Sequence, residues 1–356
     1  MTDRIQTRVL TVDPAVPEPQ IIAEAAAVIR AGGLVAFPTE TVYGLGASAL
    51  DEQAVARIFH AKERPATDPI IAHIADLCQL DVLARDVPLA AHALARRFWP
   101  GPLTLVVLRR PIVPANLSAG RATVAVRMPA HPVALALIAA SGVPIAAPSA
   151  NRFSRPSPTT AAHVLDDLNG RIDLVLDGGA THIGVESSVV DLTVDPPVLL
   201  RPGGVTITAL RQVLPELTFA PRYVATDGEA LPAPGMLLRH YAPNAPLTVV
   251  AGDHAAALER IRAEAQAAIN TGLRVGVLAF DEDAPALTDL PVRIVQMGPA
   301  ANPEVVAQRL FAALRAIEQT GVDLILARDP GQEGLSLAIR DRLVRAAEGR
   351  IIVAGQ

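Results

Sequence analysis

Lys62 and Arg64 are the residues from which chemistry is most readily argued. The chain holds thirty arginines and a single lysine, Lys62. An ammonium is a compact, strongly hydrated point charge that meets a phosphate or carboxylate from any direction, whereas a guanidinium suits a planar, two-pronged partner. Lys62-x-Arg64 offers both kinds of cation within two residues. The side chains that could join them are Thr41, His73, Thr123, Arg127, Ser149, Asn151, Ser157, Ser187 and Arg201, all expected at strand ends or in loops of the first part of the chain. None is an obvious covalent nucleophile. The inventory suits an anionic, phosphate-bearing ligand together with a small zwitterion, with catalysis by positioning and charge neutralisation.

The elements that must position these groups follow from periodicity. Ile22, Ala25, Ala26 and Ile29 recur at helical spacing and Gly32-Gly33 stop that helix. A strand from Leu34 to Thr39 then runs into an expected loop, Glu40 to Gly46. Asp51 is a candidate N-cap for a helix with the stripe Val55, Ile58 and Phe59; Lys62 falls at its end, where Pro65 forbids continuation. In the strand Thr123 to Met128, alternation puts Thr123, Ala125 and Arg127 on one face and Val124, Val126 and Met128 on the other. A hydroxyl and a guanidinium sharing a face suit a ligand floor; an edge strand with Arg127 in solvent is the alternative. Val143 to Ala147 delivers Pro148-Ser149-Ala150-Asn151, where an extended chain would point Ser149 and Asn151 the same way, and Thr159 can cap the helix ending near Gly170.

These elements predict an α/β protein. Residues 1–214 form a mixed, twisted sheet with helices; residues 215–246, with recurring prolines and no periodicity, read as a linker; residues 247–356 alternate strands and helices as a small doubly wound, Rossmann-like domain with a parallel sheet. In the last part Asn302 is the expected cap and Pro303 the first residue of a long helix.

Composition excludes several classes. A formal net charge of -5 argues against a broad nucleic-acid footprint, and no apolar run reaches the roughly 18 residues of a membrane span, so a cytoplasmic location is expected. Cys78, the only cysteine, permits no intramolecular disulfide and no cysteine-rich metal site, and its apolar context suggests buried filler. There is no phosphate-binding G-x-x-x-x-G-K-[ST], no G-x-S-x-G and no H-E-x-x-H. Gly44-Leu45-Gly46 imitates a dinucleotide fingerprint, but residues 40–43 separate it from the strand on which that fingerprint depends.

Six ordered motifs carry a resemblance. They are Pro38-Thr39-Glu40-Thr41-Val42-Tyr43-Gly44-Leu45-Gly46, Lys62-x-Arg64-Pro65, Ser149-Ala150-Asn151, Ser157-Pro158-Thr159, Glu186-Ser187-Ser188-Val189-Val190-Asp191 and Leu200-Arg201-Pro202-Gly203. Together they resemble a YrdC-type domain, with Lys62, Arg64, Ser149 and Asn151 matching its K-x-R and S-x-N signature. Arg239-His240-Tyr241-Ala242-Pro243 and the extra α/β domain are similar to the longer, two-domain threonylcarbamoyl-AMP synthase family.

The resemblance implies a nucleotidyltransferase that makes L-threonylcarbamoyladenylate and pyrophosphate from L-threonine, bicarbonate and ATP, for tRNA threonylcarbamoyladenosine modification. It implies that Thr41, His73, Arg127, the Ala147 backbone and Ser187 hold threonine, and that Arg64, Asp68, Thr123, Ser149, Ser157, Arg201 and Tyr241 hold ATP. Mg²⁺ would ride mainly on the phosphates, the linker would cover the site, and a downstream transferase would take the product, with tRNA at most an indirect partner. Asp68 stands where the family commonly has asparagine and is expected to weaken nucleotide binding or to engage Mg²⁺. Glu63 replaces a frequent glycine and is expected to stiffen the Lys62 loop. The competing reading is a non-catalytic RNA-binding maturation factor with a YrdC-like surface, against which the acidic charge speaks. A carbamoyl-transfer enzyme of the hydrogenase-maturation type would need zinc-finger cysteines that this chain lacks.

Overall fold

The computed structural model describes residues 5–219, 231 and 240–355. They form two compact units, one of Met1–Phe153 with Ser157–Met236 and one of Ser154–Pro156 with Leu237–Gln356. Most of the expected linker, 220–230 and 232–239, lies outside the described residues, and with it Arg239.

The first unit runs β1 (Arg8–Thr11), α1 (Pro19–Arg30), β2 (Val35–Phe37), β3 (Gly44–Ser48), α2 (Glu52–Lys62), β4 (Ile71–His73), α3 (Cys78–Leu83), α4 (Leu89–Phe98), β5 (Leu103–Leu108) and β6 (Thr123–Arg127). It continues through α5 (Pro132–Ser141), β7 (Ile145–Ala146), α6 (Ala161–Leu168), β8 (Leu174–Asp177), β9 (Ser188–Asp191), β10 (Val198–Arg201) and α7 (Ile207–Arg211). The strands make one ten-stranded mixed sheet in the order β1-β8-β2-β3-β7-β4-β6-β5-β9-β10.

Two apolar clusters clothe this sheet. On one face Leu45, Ala72, Leu105, Val124 and Val126 pack with Val55 and Ile58 of α2, Leu94 of α4 and Val164 of α6. On the other, Val35, Phe37, Ile145 and Leu174 pack with Ile22 and Ile29 of α1 and Leu137 of α5. Beyond Ile145 this second face changes character: in register beside it come His73, Arg127 and Thr104. The side chains predicted to alternate in β6 do so, with Val124, Val126 and Met128 in the core. β6 lies between β4 and β5 and Arg127 is buried, so the edge-strand alternative is excluded.

Several local expectations are corrected. Gly44 to Gly46 is strand, not loop; Phe37 and Ile145 fill the space where a Cβ on Gly46 would sit, so its glycines serve packing. Thr160, not Thr159, caps α6, accepting from the His163 amide. Cys78 is exposed, on a helix, α3, that periodicity did not reveal. Asp51 does cap α2, accepting from the Gln53 and Ala54 amides, and Glu63 ends the helix with a left-handed φ of 56°. A residue other than glycine resists that conformation, so Glu63 is held there by its surroundings, including Arg152 and Arg171 at 2.6 and 2.8 Å.

The second unit runs β11 (Leu247–Ala251), α8 (His254–Asn270), β12 (Val275–Ala279), β13 (Arg293–Gln296), α9 (Pro303–Gln319), β14 (Leu324–Arg328), α10 (Ser336–Ala346) and β15 (Ile351–Val353). Its five strands are all parallel, in the order β13-β12-β14-β11-β15. Val275, Val277 and Ala279 pack on Ala257, Ile261 and Ala265 of α8, whereas a Cβ on the intervening Gly276 would come within 2.8 Å of Ile317 of α9. Helices therefore cover both faces, as double winding requires. Counted within the unit the order is 3-2-4-1-5, which differs from the 3-2-1-4-5-6 of dinucleotide-binding folds. Asn302 caps α9 through the Val305 amide. Within this unit Arg155 grips Glu318 with two bonds, at 2.7 and 2.8 Å, and Arg315 donates to the Pro156 carbonyl at 2.6 Å.

Candidate active site

The register of three strands sets the site's length. β4 and β6 run parallel, with Ile71 beside Ala125 and His73 beside Arg127, and β7 returns antiparallel, with Ile145 beside His73. Residues before β4 and at the start of β6 thus gather at one end, and His73 and Arg127 mark the other. Thr123 and Arg127 share a face four residues apart, about 13 Å at the ~3.3 Å rise of a strand.

Lys62, Arg64 and Asp68 occupy the first end. Lys62 is almost wholly buried, and its Nζ donates to the Ser149 and Asn151 carbonyl oxygens, both at 2.5 Å. The two halves of the signature are thus one structural object, with the lysine holding the backbone of the Ser149-Ala150-Asn151 turn. Burial, and next the neighbouring Arg64 charge, hold the Lys62 ammonium well below its usual pKa. A bound triphosphate would oppose that shift. Arg64 is also buried; its Nε donates to the Asp68 carbonyl at 3.1 Å, its Nη2 to the Pro69 carbonyl at 2.7 Å, and it pairs with the Asp68 carboxylate at 2.9 Å.

At the other end, Arg127 Nη1 donates to Thr41 Oγ1 at 3.0 Å and Nε to the Gly101 carbonyl at 3.3 Å. Its Nη2 lies 2.7 Å from Glu40 Oε1, yet the two are out of line for a hydrogen bond, so Nη2 and both Glu40 oxygens lack hydrogen-bond partners. His73 Nδ1, buried, also lacks one. Burial, and secondarily the Arg127 charge, depress the His73 imidazole from 6.5 to about 3, so the ring is neutral at ordinary pH. Across β5, Thr104 and Ser187 share a hydroxyl hydrogen bond of 2.8 Å. Arg201 fixes Ser187 by donating to its carbonyl from Nε and Nη2, at 3.1 and 3.0 Å, and to its hydroxyl at 3.2 Å. Ser157 donates to the buried Glu186 at 2.6 Å.

The sequence-derived set thus falls into place unevenly. Lys62, Arg64, Asp68, Ser149 and Asn151 are tied together at one end, with Thr123 at the same end of β6. Thr41, His73, Arg127, Ser187 and Arg201 gather at the other, whereas Ala147, just past β7, lies by the start of β4, its amide donating to the Ile71 carbonyl at 2.9 Å. Ser157 joins Glu186 beside Ser187. Tyr241 belongs to the second unit, where it packs at a tilt against Phe311 with ring centroids 5.1 Å apart and edge-on to His240 at 4.0 Å. Sequence reasoning did not single out Glu40, Thr104 or Glu186 as site residues. Glu40 and Glu186 lay inside the quoted motifs; Thr104 carried no signal of its own, being a lone hydroxyl in an apolar strand.

A mixed sheet whose second face ends in this polar row, joined to a smaller parallel α/β unit, defines a two-domain protein of the YrdC type. The family described as "Telomere recombination" matches residues 27–203, and that described as "Threonylcarbamoyl-AMP synthase, C-terminal domain" matches residues 205–348. Threonylcarbamoyl-AMP synthase of Pyrococcus abyssi is 49% identical over 331 residues, covering 92% of this chain and 94% of its relative. That of Bacillus subtilis is 47% identical over 336 residues, covering 94% and 95%. The crystal structure of the P. abyssi Sua5 protein complexed with L-threonine superposes with a TM-score of 0.90, at 47% identity, covering 98% of this chain and all of that one. The chain belongs to the threonylcarbamoyl-AMP synthase family, in its two-domain form, and is a nucleotidyltransferase by that membership.

Proposed function

We propose that this chain is a cytoplasmic enzyme that joins L-threonine, bicarbonate and ATP into L-threonylcarbamoyladenylate, releasing pyrophosphate. One observation carries the reading: two buried cations, Lys62 and Arg64, stand by the turn that follows β7, and buried polar atoms without hydrogen-bond partners, on Arg127, Glu40 and His73, gather at the far end of β4 and β6. Buried polar groups are normally satisfied, and a cluster of exceptions marks where a ligand's own polar groups belong. That the P. abyssi protein is complexed with L-threonine supports a threonine site in this chain, and the partnerless polar atoms are why it is assigned to that end.

The threonine carboxylate would meet Arg127 and Thr41, its hydroxyl the Ser187 region, and its other polar groups His73 and the Ala147 backbone. Threonine's amine takes up bicarbonate to give a carbamate and water. A carbamate oxygen then attacks the α-phosphorus of ATP and pyrophosphate leaves. Lys62 and Arg64 would neutralise the charge that spreads toward the pyrophosphate, while Ser149 and Asn151, anchored through Lys62, hold the turn against which it lies. Arg64, Asp68, Thr123, Ser149, Ser157, Arg201 and Tyr241 make up the proposed nucleotide set. Mg²⁺ carried in on the triphosphate would supply further charge neutralisation there. Residues 215–246 are proposed to cover the site and exclude water from a labile mixed anhydride. The product is a substrate for a downstream transferase acting on tRNA.

Exchange of radiolabelled pyrophosphate into ATP tests this. Exchange that requires both L-threonine and bicarbonate and collapses in Lys62→Ala is the expected result. Its absence under every condition from folded protein overturns the reading.

A further inference from the structure

Glu40 is a buried carboxylate that the nucleotide chemistry does not use. It lies between Thr39 and Thr41, 7% exposed, and pairs with Arg127, one of the two arginines gathered at the threonine end. Its backbone is pinned from both sides. Thr39 Oγ1 bonds Thr41 Oγ1 at 2.8 Å and donates to the Val42 carbonyl at 2.6 Å, while the Glu40 carbonyl accepts from the Ile183 amide at 2.8 Å. A turn fixed this firmly holds a charged side chain where water does not reach, against a guanidinium it meets out of line. Stability alone does not favour such a contact, because a buried ion pair offsets its desolvation only when its hydrogen bonds are well made.

A zwitterion changes the balance. An α-amino acid brings a carboxylate and an ammonium joined through one carbon, and both lose water on entering a buried site. Arg127 can take the carboxylate, but an ammonium beside a bare guanidinium would be repelled. The complement it needs is an anion next to Arg127. Of the site's three buried carboxylates, Asp68 pairs with Arg64 at 2.9 Å, Glu186 accepts from the Ser157 hydroxyl at 2.6 Å, and Glu40 is the one that stands against Arg127. Glu40 has both oxygens without hydrogen-bond partners.

Resting on the proposed function, we propose that Glu40 binds the α-ammonium of the amino acid substrate, so that the Arg127–Glu40 pair reads the two charges of a zwitterion. Glu40 is then a specificity-determining residue: it selects amino acids over hydroxy acids and other simple carboxylates. Its hold is on the positive charge. The ammonium must first give up a proton to solvent before the neutral amine can take up bicarbonate; the carbamate nitrogen then carries no positive charge, and Glu40 releases the group toward the Lys62 end.

Calorimetric titration of L-threonine and of 3-hydroxybutyrate, which lacks only the amine, into the native chain and Glu40→Gln tests the idea. The native chain should prefer threonine. In Glu40→Gln threonine should bind about 10- to 100-fold more weakly, the span of a lost buried charge-assisted hydrogen bond, with 3-hydroxybutyrate unchanged or tighter and ATP binding retained. Equal threonine affinity in the two proteins overturns the proposal. A native chain that binds no threonine sinks the proposed function instead. Should the glutamine variant not fold, Glu40→Asp carries the test: with the carboxylate drawn back by one carbon, threonine should bind more weakly while 3-hydroxybutyrate and ATP bind as before, and threonine affinity equal to that of the native chain overturns the proposal.

Discussion

Asp68 holds the Arg64 guanidinium in an ion pair of 2.9 Å, with both side chains buried. The negative charge expected from the sequence to trouble the phosphates is therefore spent on the cation that would meet them. An incoming triphosphate has to compete with Asp68 for Arg64. Asp68→Asn should tighten ATP binding by about tenfold, a coupling of about 1.4 kcal/mol. The ligand-free variant should also melt lower, since it leaves a buried arginine short of its counter-ion. Titration with ATP and a melting curve read the two effects; unchanged affinity would show that the carboxylate does not compete.

Lys62 is a point charge between two carbonyl oxygens, in a space that its own chain fills. Lys62→Arg should fail to restore what Lys62→Ala removes, because a planar fork cannot place one donor on both the Ser149 and Asn151 carbonyls. Pyrophosphate exchange should fall by about 100-fold or more in both, as when a transition-state donor is removed. Rescue by arginine to within a few-fold would assign Lys62 a bulk electrostatic role.

Much of this site was legible because its motifs sit where regular structure stops. Helix α2 announces itself by Asp51 and its apolar stripe, so Lys62 could be put at a helix end from the sequence alone. Strand β6 alternates cleanly, so Arg127 could be given a face. What periodicity could not supply was register. His73 lies in a three-residue strand and Thr104 in a run of apolar residues, and only the pairing of β4, β5 and β6 brings them to Arg127. β3 was hidden for a different reason: its glycines look like a loop, yet they are required by the close approach of Phe37 and Ile145. Glu40 was visible as a letter and silent as a role, because whether a carboxylate is satisfied is a property of tertiary geometry.

His73 gives the fold a sensitivity to acid. Its ring takes a proton near 6.5 in an ordinary setting and only near 3 in the folded chain, mainly because burial disfavours the charged form. Between those values the unfolded chain binds more protons, so stability falls as pH falls. His73→Gln should flatten the urea midpoint across that interval relative to the native chain. The whole effect is a few kcal/mol, because every tenfold difference in proton affinity between the folded and unfolded chain is worth about 1.4 kcal/mol. Parallel acid limbs in the two proteins would move the sensitivity elsewhere.

Gly203 couples the two motifs that carry Glu186, Ser187 and Arg201. A Cβ there would lie 2.3 Å from the Glu186 carbonyl oxygen and 2.4 Å from backbone atoms of Ser187 and Ser188, none of which can rotate away. Gly203→Ala must therefore part the 201–203 segment from 186–188, stretching the Arg201 bonds to Ser187. A loss of about 1–3 kcal/mol is expected, as for other overpacked sites, with KM for L-threonine and for ATP both raised. Gly120→Ala is the control. Its φ of 76° makes alanine costly by roughly 1 kcal/mol, but nothing lies within 4 Å of the added carbon. That variant should lose stability and keep native kinetics. If Gly203→Ala behaves the same way, the close approach at Gly203 serves only the fold; raised KM values in Gly203→Ala alone show that it sets the position of Ser187.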